Sequence, residues 1–148
     1  MNKNKKGGFT LIEVLVVIGI IAILASIAVV AINPARQFSQ ANNSQRWSNV
    51  NAILNAVHQY AVDNRGALPA GISATPTEIC RSTVATTSCG ALVQFTDLLV
   101  PTYVVGMPTD PTGASTNGTG YRIATSTGNR IVVTAPSAEN GEVISVTR

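Results

Sequence analysis

Charged residues are scarce in this sequence of 148 residues: they make up 11 %, against about 25 % in typical soluble domains. So small a share of charged residues argues against a chain kept disordered by repulsion between its own side chains. It also leaves little basic surface, and the arginines do not form a stripe that would bind DNA or RNA. The composition therefore predicts no nucleic-acid partner.

Residues that carry catalysis or bind metals are also few. His58 is the single histidine, and it lies beside an apolar helical stripe, where a packing role is more common than a ligand role. The sequence contains no G-x-S-x-G, phosphate-loop or H-E-x-x-H motif. We therefore predict no catalytic residue, metal site or cofactor, and these absences argue against the alternative of an enzyme anchored by its N-terminal helix.

The N-terminus carries a basic tail followed by a long apolar run. The formal net charge is +3, and without Lys3, Lys5 and Lys6 the basic residues equal the acidic ones. Residues from Phe9 to Ile32 are almost all apolar. About 20 apolar residues at 1.5 Å each span a hydrocarbon core of roughly 30 Å. The lysines before the run predict a membrane helix with its N-terminus in the cytoplasm.

Two features distinguish this run from a secretory signal peptide. Its small residues, Gly7 and Gly8, precede the run instead of following it, and the run exceeds the roughly 7–15 residues of a signal-peptide core. Glu13 lies inside the run, where a carboxylate costs on the order of 3 kcal/mol or more unless it is paired. Two interpretations stay open: Glu13 is solvated among the headgroups, or it pairs with a charge from another molecule.

The segment Lys5–Ile18 resembles the N-terminus of a type IV prepilin or of a type II secretion pseudopilin. The shared pattern consists of Gly8, Phe9 and Glu13 at the head of an apolar run of membrane-spanning length. In that family a prepilin peptidase cleaves after the glycine, and the new N-terminal phenylalanine is methylated. The resemblance implies a leader of residues 1–8, cleavage between Gly8 and Phe9, and N-methylation of Phe9.

The resemblance also implies a partner for Glu13. Cleavage creates an α-amino group on Phe9, and this cation would pair with Glu13 of a neighbouring subunit. Such a pair makes the docking register specific, because a misplaced subunit leaves both charges unpaired. The implied partners are further copies of the chain in a helical filament, the prepilin peptidase and the inner-membrane assembly platform. The implied location is the inner (cytoplasmic) membrane before assembly, and then an extracellular pilus or a periplasmic pseudopilus.

A second helical pattern occupies residues 33–65. Pro34 either ends the membrane helix or kinks a longer one, and we favour the kink because a helical pattern resumes at once. Gly66 predicts the end of the second helix near Arg65. Apolar residues recur in this segment at i, i+3, i+4 and i+7 and form one stripe: Trp47, Val50, Ile53, Leu54, Val57 and Ala61.

Residues 66–148 predict a globular head. The segment 66–89 reads as a loop, and the apolar spacing within 91–100 predicts a short helix. Gly128-Asn129 predicts a hairpin turn. We therefore expect the α+β class: a long N-terminal helix, transmembrane in its first half, packed on an antiparallel meander of about three strands. The predicted strands are Tyr121–Thr125, Arg130–Thr134 and Val143–Thr147.

Cys80 and Cys89 are the only cysteines. An even pair in an exported head predicts a disulfide that closes a short loop. The alternatives are two free thiols, or a metal-binding pair for which the sequence shows no further ligands.

The head resembles that of the major pseudopilin of type II secretion and of related short pilins. In that group a C-terminal acidic loop often holds calcium, but here Glu139, Asn140 and Glu142 form no D-x-D cluster, so the sequence does not support calcium. We predict the repeating subunit of a type IV pilus-like filament. The alternatives are a major pseudopilin of a type II secretion system and a minor pilin in adhesion or DNA uptake. The matching segments are Leu99–Tyr103, Met107–Pro111 and Gly120-Tyr121.

Overall fold

The computed structural model describes residues 8–81 and 89–148. It divides the chain into two compact units, the first ending at Gln37 and the second comprising Phe38–Arg148. The helices and strands of the described residues follow in the order α1 (Leu11–Ile32), α2 (Pro34–Asp63), β1 (Thr77–Cys80), α3 (Thr96–Leu99), β2 (Gly118–Ser126), β3 (Arg130–Ala135) and β4 (Ile144–Thr147).

One residue interrupts the helical structure between α1 and α2. Asn33 has a left-handed backbone, with φ +47°, and terminates α1. Its carbonyl oxygen accepts a hydrogen bond from the backbone N–H of Arg36 at 3.1 Å, and Pro34 occupies the first position of α2, where its missing N–H costs nothing. Helical structure therefore continues to Asp63, and the bend at Pro34 stays a prediction.

The second unit is built around the predicted apolar stripe of α2. Val50, Ile53, Leu54 and Val57 are completely buried, while Trp47 packs at the margin of the same cluster. The sheet contributes its inward-facing side chains to the same core: Ile79, Tyr121, Ile123, Ile131, Val133, Ala135 and Ile144. The amphipathic stripe therefore determines which face of α2 packs on the sheet.

Four antiparallel strands form the sheet, in the order β1-β2-β3-β4. The predicted hairpin is confirmed: three residues, Thr127–Asn129, connect the paired Ser126 and Arg130, and two of them, Gly128 and Asn129, have positive φ, at +80° and +60°. The three predicted strands correspond to β2, β3 and β4. The α+β class is thus confirmed, with one strand more than expected.

The additional strand corrects the loop predicted for residues 66–89. Thr77–Cys80 form β1, which pairs with β2 on one side. On its other side Val93 donates to the Glu78 carbonyl at 2.8 Å and accepts from the Cys80 N–H at 2.9 Å. This bridge holds Val93 extended, so the helix predicted for 91–100 is restricted to α3.

Cys80 and Cys89 are joined in a disulfide with a Cα–Cα distance of 5.7 Å, as predicted. Cys80 is the last residue of β1, and both cysteines are buried. The cross-link therefore fastens the chain beyond residue 88 to the sheet.

Candidate functional site

The start of α1 is closed by a reciprocal pair of side chains, Thr10 and Glu13. The Thr10 hydroxyl accepts a hydrogen bond from the Glu13 backbone N–H at 3.3 Å. In return, Glu13 Oε2 accepts from the Thr10 backbone N–H at 2.8 Å and from the Thr10 hydroxyl at 2.9 Å. This arrangement is a capping box, which satisfies backbone donors that a helix otherwise leaves free at its first turn.

The capping box provides Glu13 with partners that the sequence analysis missed. A threonine three residues before a glutamate, directly ahead of an apolar run, is the sequence signature of this motif. Both hydrogen bonds that Thr10 donates, one from its backbone N–H and one from its hydroxyl, end on Oε2, and no hydrogen bond to Oε1 is formed by the residues that the structure describes. Glu13 is therefore oriented within its own chain and keeps one oxygen available.

Apart from Thr10, the residues around Glu13 present apolar surface. Phe9 is 89 % exposed, and the apolar residues of α1 whose burial the structure describes are likewise exposed. Within the described part of the chain, the segment Leu11–Val29 is the one helix long and apolar enough to cross a membrane by length and composition. Exposed apolar patches of this extent mark contact with lipid or with other proteins.

A second polar cluster lies inside the head, centred on Arg46 of α2. Its guanidinium donates two hydrogen bonds to Asp110, from Nε to Oδ2 at 2.8 Å and from Nη2 to Oδ1 at 3.0 Å. The same group also donates to Asn43 Oδ1 at 2.8 Å and to the Thr112 hydroxyl at 2.6 Å. Both charged side chains are fully buried. Such a two-pronged pair fixes α2 against the loop that carries Asp110.

The geometry of this cluster controls the ionisation of Asp110. Burial raises the pKa of the Asp110 carboxyl, but hydrogen bonds from Arg46 and from the backbone N–H groups of Thr112 and Gly113 outweigh it, so the pKa lies below its usual range. The hydrogen bond to Asp110 in turn raises the pKa of Arg46. The pair is therefore fully charged at neutral pH.

The acidic C-terminal loop is tied to α2 by N–H donors. Asn43 Nδ2 donates to Glu142 Oε2 at 2.7 Å and to the Glu139 carbonyl at 2.9 Å. Trp47 Nε1 donates to Glu142 Oε1 at 2.6 Å. Within residues 8–81 and 89–148, no group of three or more His, Cys, Asp or Glu side chains is arranged to hold a metal ion. Here the acidic side chains attach the loop to the helix.

The predicted site residues thus fall into separate places. Gly8, Phe9 and Glu13 lie together at the start of α1, whereas Cys80 and Cys89 lie in the head. Their predicted roles in cleavage, methylation and contact between subunits stay predictions. His58 lies on α2 with Nε2 buried and unpaired among the described residues.

Comparison with known proteins identifies the first of these places. Residues 3–29 match the family model of the prokaryotic N-terminal methylation motif. The matched segment includes Gly8, Phe9 and Glu13 and covers 27 of the 148 residues. Curated proteins and solved structures gave no match. The motif indicates a type IV pilin-like or pseudopilin protein, a structural class in which prepilin peptidase processing precedes filament assembly.

Proposed function

We propose that this chain is the repeating subunit of a type IV pilus-like helical filament, assembled through its N-terminal helices. One observation carries the proposal: a methylation motif at residues 3–29 includes the start of an exposed, apolar helix with a single carboxylate in its first turn. Lipid covers this apolar surface before assembly, and the helices of neighbouring subunits cover it afterwards.

Glu13 acts in this proposal as the acceptor for the neighbouring subunit. Prepilin peptidase cuts between Gly8 and Phe9, and Phe9 then carries the α-amino group and its methylation. Thr10 holds Oε2 of Glu13, while Oε1 faces the incoming ammonium of Phe9 on the next subunit. Because a carboxylate and an ammonium in an apolar bundle are costly apart, their pairing selects one register among many similar helix contacts.

The amine chemistry of the chain allows a direct test. All three lysines precede Phe9, so residues 9–148 contain none. After cleavage the Phe9 nitrogen would be the sole aliphatic amine of the subunit, whether methylated or not. Reductive methylation with isotope-labelled formaldehyde should therefore label only the Phe9 nitrogen, and the amount of label incorporated measures how accessible that nitrogen is. We expect labelling in the detergent-solubilised subunit and protection in assembled filaments.

The test is completed by Glu13 variants. Glu13→Ala and Glu13→Gln should both be processed, inserted and reactive at Phe9, yet form no filaments as the sole subunit. Gln keeps an oxygen for the Thr10 bonds and lacks the charge, so it separates pairing from capping. Filaments of normal length and number from either variant would overturn the assembly mechanism.

Processing and location need their own measurements. Replacement of Gly8 by a bulky residue should leave the uncleaved precursor in the membrane. A mature N-terminus found downstream of Ala25 would instead establish an ordinary signal peptide. Electron microscopy and mass spectrometry of material sheared from the cell surface distinguish a surface pilus from a periplasmic pseudopilus.

A further inference from the structure

The two edge strands of the head sheet differ in whether another segment of the chain covers their outer side. The outer edge of β1 is covered, since Val93 bonds to the backbone of Glu78 and Cys80. The other edge is β4, which pairs with β3 alone. An uncovered edge presents backbone donors and acceptors that pair with another extended chain.

The alternation of hydrogen-bonded and non-bonded pairs between β3 and β4 shows which backbone groups of β4 point away from the sheet. Arg148 and Ile131 exchange both of their backbone bonds, at 2.9 and 2.7 Å. Because antiparallel pairs alternate between bonded and non-bonded, the β4 residue Val146 directs its N–H and C=O inward to β3. The N–H and C=O groups of Ser145 and Thr147 therefore point away from the sheet, and the described residues provide them with no partner.

The composition of β4 does nothing to block an added strand. The strand reads Ile144, Ser145, Val146, Thr147, three of them β-branched and none charged. It contains no proline, and its pairing with β3 has no bulge. Charged residues, prolines and bulges are the usual means by which proteins protect a sheet edge. Arg148, just beyond, is held by Asn55 and Asn51 of α2 at 2.8 and 3.2 Å.

We propose that the β4 edges of two copies of this chain pair antiparallel about a two-fold axis at Val146. Ser145 then lies opposite Thr147 of the second copy, and the two exchange both backbone bonds. The symmetric pair does the same on the other side of the axis. Every outward group of both strands is used, so the edge is complementary to itself.

This inference rests on the proposed function and goes beyond it, because it assigns the contact to two separate filaments. Neighbouring subunits within one helical filament are related by a rotation combined with a translation along its axis, whereas a two-fold contact relates its two copies by a rotation alone. A pair of four-residue strands buries far less than the roughly 1,000 Å² that a stable interface needs. The contact holds only when it repeats along two filaments, which makes it a means of lateral bundling.

Thr147→Pro tests the pairing, since it removes an outward N–H without breaking a bond to β3. Thr147→Val is the matched control, as it keeps the N–H and the branched side chain. We expect both variants to assemble into filaments. The amount of bundled filament that sediments at low speed should fall about tenfold or more in the proline variant, because the repeated contacts between filaments are lost together. Unchanged bundling of the proline variant would overturn the inference.

Val146→Cys tests the axis. The two cysteines would face each other across a non-bonded pair, with Cα atoms about 4.5 Å apart, within the range of a disulfide. We expect oxidation of bundled filaments to cross-link their subunits into dimers, and Ser126→Cys at the end of β2 to give none. The pairing of β4 edges would be wrong, and the proposed function untouched, if cross-links formed in singly dispersed filaments. The same holds if wild-type filaments never bundle. Absence of any filament would overturn the proposed function first.

Discussion

The first helix exposes its apolar side chains, whereas the head buries them. Val16 of α1 is 51 % exposed, whereas Val50 of α2 is 0 % exposed. The head buries its stripe against its own sheet, so its folding is completed within the chain. The span Leu11–Val29 of α1 is not buried, and an apolar surface of this size is typical of contact with lipid or with other proteins.

The two regions also differ in how they satisfy a carboxylate. Asp110 is bound by the charged Arg46 and by backbone N–H groups, all inside the head. Glu13 has the neutral donors of Thr10, and these occupy one oxygen. A carboxylate satisfied internally stabilises a fold, and one that is half satisfied suits a contact still to be made.

The largest effect that separates the regions is expected from Asp110→Ala. This change removes the two-pronged partner of the buried Arg46 charge and leaves only the longer contact with Glu139 at 3.4 Å. Removing one partner of a buried pair typically costs about 3–5 kcal/mol of unfolding free energy. Glu13→Ala should change head stability by less than about 0.5 kcal/mol. Denaturation followed by fluorescence of Trp47, the single tryptophan, measures both.

The double variant Arg46→Met/Asp110→Leu is the control for this prediction. It removes both charges together and should recover much of the lost stability, because no buried charge is left unpaired. Equal destabilisation by Asp110→Ala and Glu13→Ala would show that the two regions are not energetically separate.

Loss of the disulfide should have the next largest effect. Cys80 and Cys89 are separated by 9 positions, and a loop of that size contributes about 2–3 kcal/mol through the entropy of the unfolded chain. Replacing both cysteines by alanine should lower head stability by that amount. Circular dichroism should show the helix content unchanged, since the cross-link lies outside α1 and α2. A comparable loss of helix would contradict this assignment.

Acid should lower the stability of the head by less than Asp110→Ala does, because a protonated Asp110 still fills its place and can still form hydrogen bonds. The pKa of Asp110 is lowered in the folded state, so its contribution is present above its unfolded pKa of about 3.9 and is lost as the pH falls through the folded value. Head stability measured by denaturation should decline below about pH 4. The Arg46→Met/Asp110→Leu variant should lack this part of the decline.

The smallest effect is expected at Thr10. Thr10→Ala removes the cap of α1 and should cost about 1 kcal/mol locally, while head stability stays unchanged. Hydrogen exchange of the Glu13 amide in detergent should become faster, and Thr10→Ser should restore its protection. No change in exchange would indicate that the hydrogen bond at 3.3 Å does not stabilise the first turn.

Features that depend on neighbouring residues could be predicted from the sequence. The buried stripe of α2 follows from helical periodicity, and the β2–β3 hairpin follows from the positive φ that Gly128 and Asn129 adopt. The methylation motif and the membrane-length run are linear patterns and needed no tertiary structure. Even the Thr10–Glu13 capping box has a local signal in the sequence, a threonine three residues before a glutamate at the head of an apolar run.

Features that join distant parts of the chain were decided by tertiary structure alone. β1 is a strand because β2 and Val93 bond to its two sides, and residues 77–80 carry little periodicity of their own. Arg46 reads in sequence as one more helical arginine, and its partner Asp110 lies 64 positions away. The open edge at β4 likewise depends on the order of strands in the sheet. Sequence by itself determined the linear signal and the local periodicities, because each arises from contacts a few residues apart. Only the folded chain determined which buried charges meet and which strand is left at the edge, because those contacts depend on packing between distant segments.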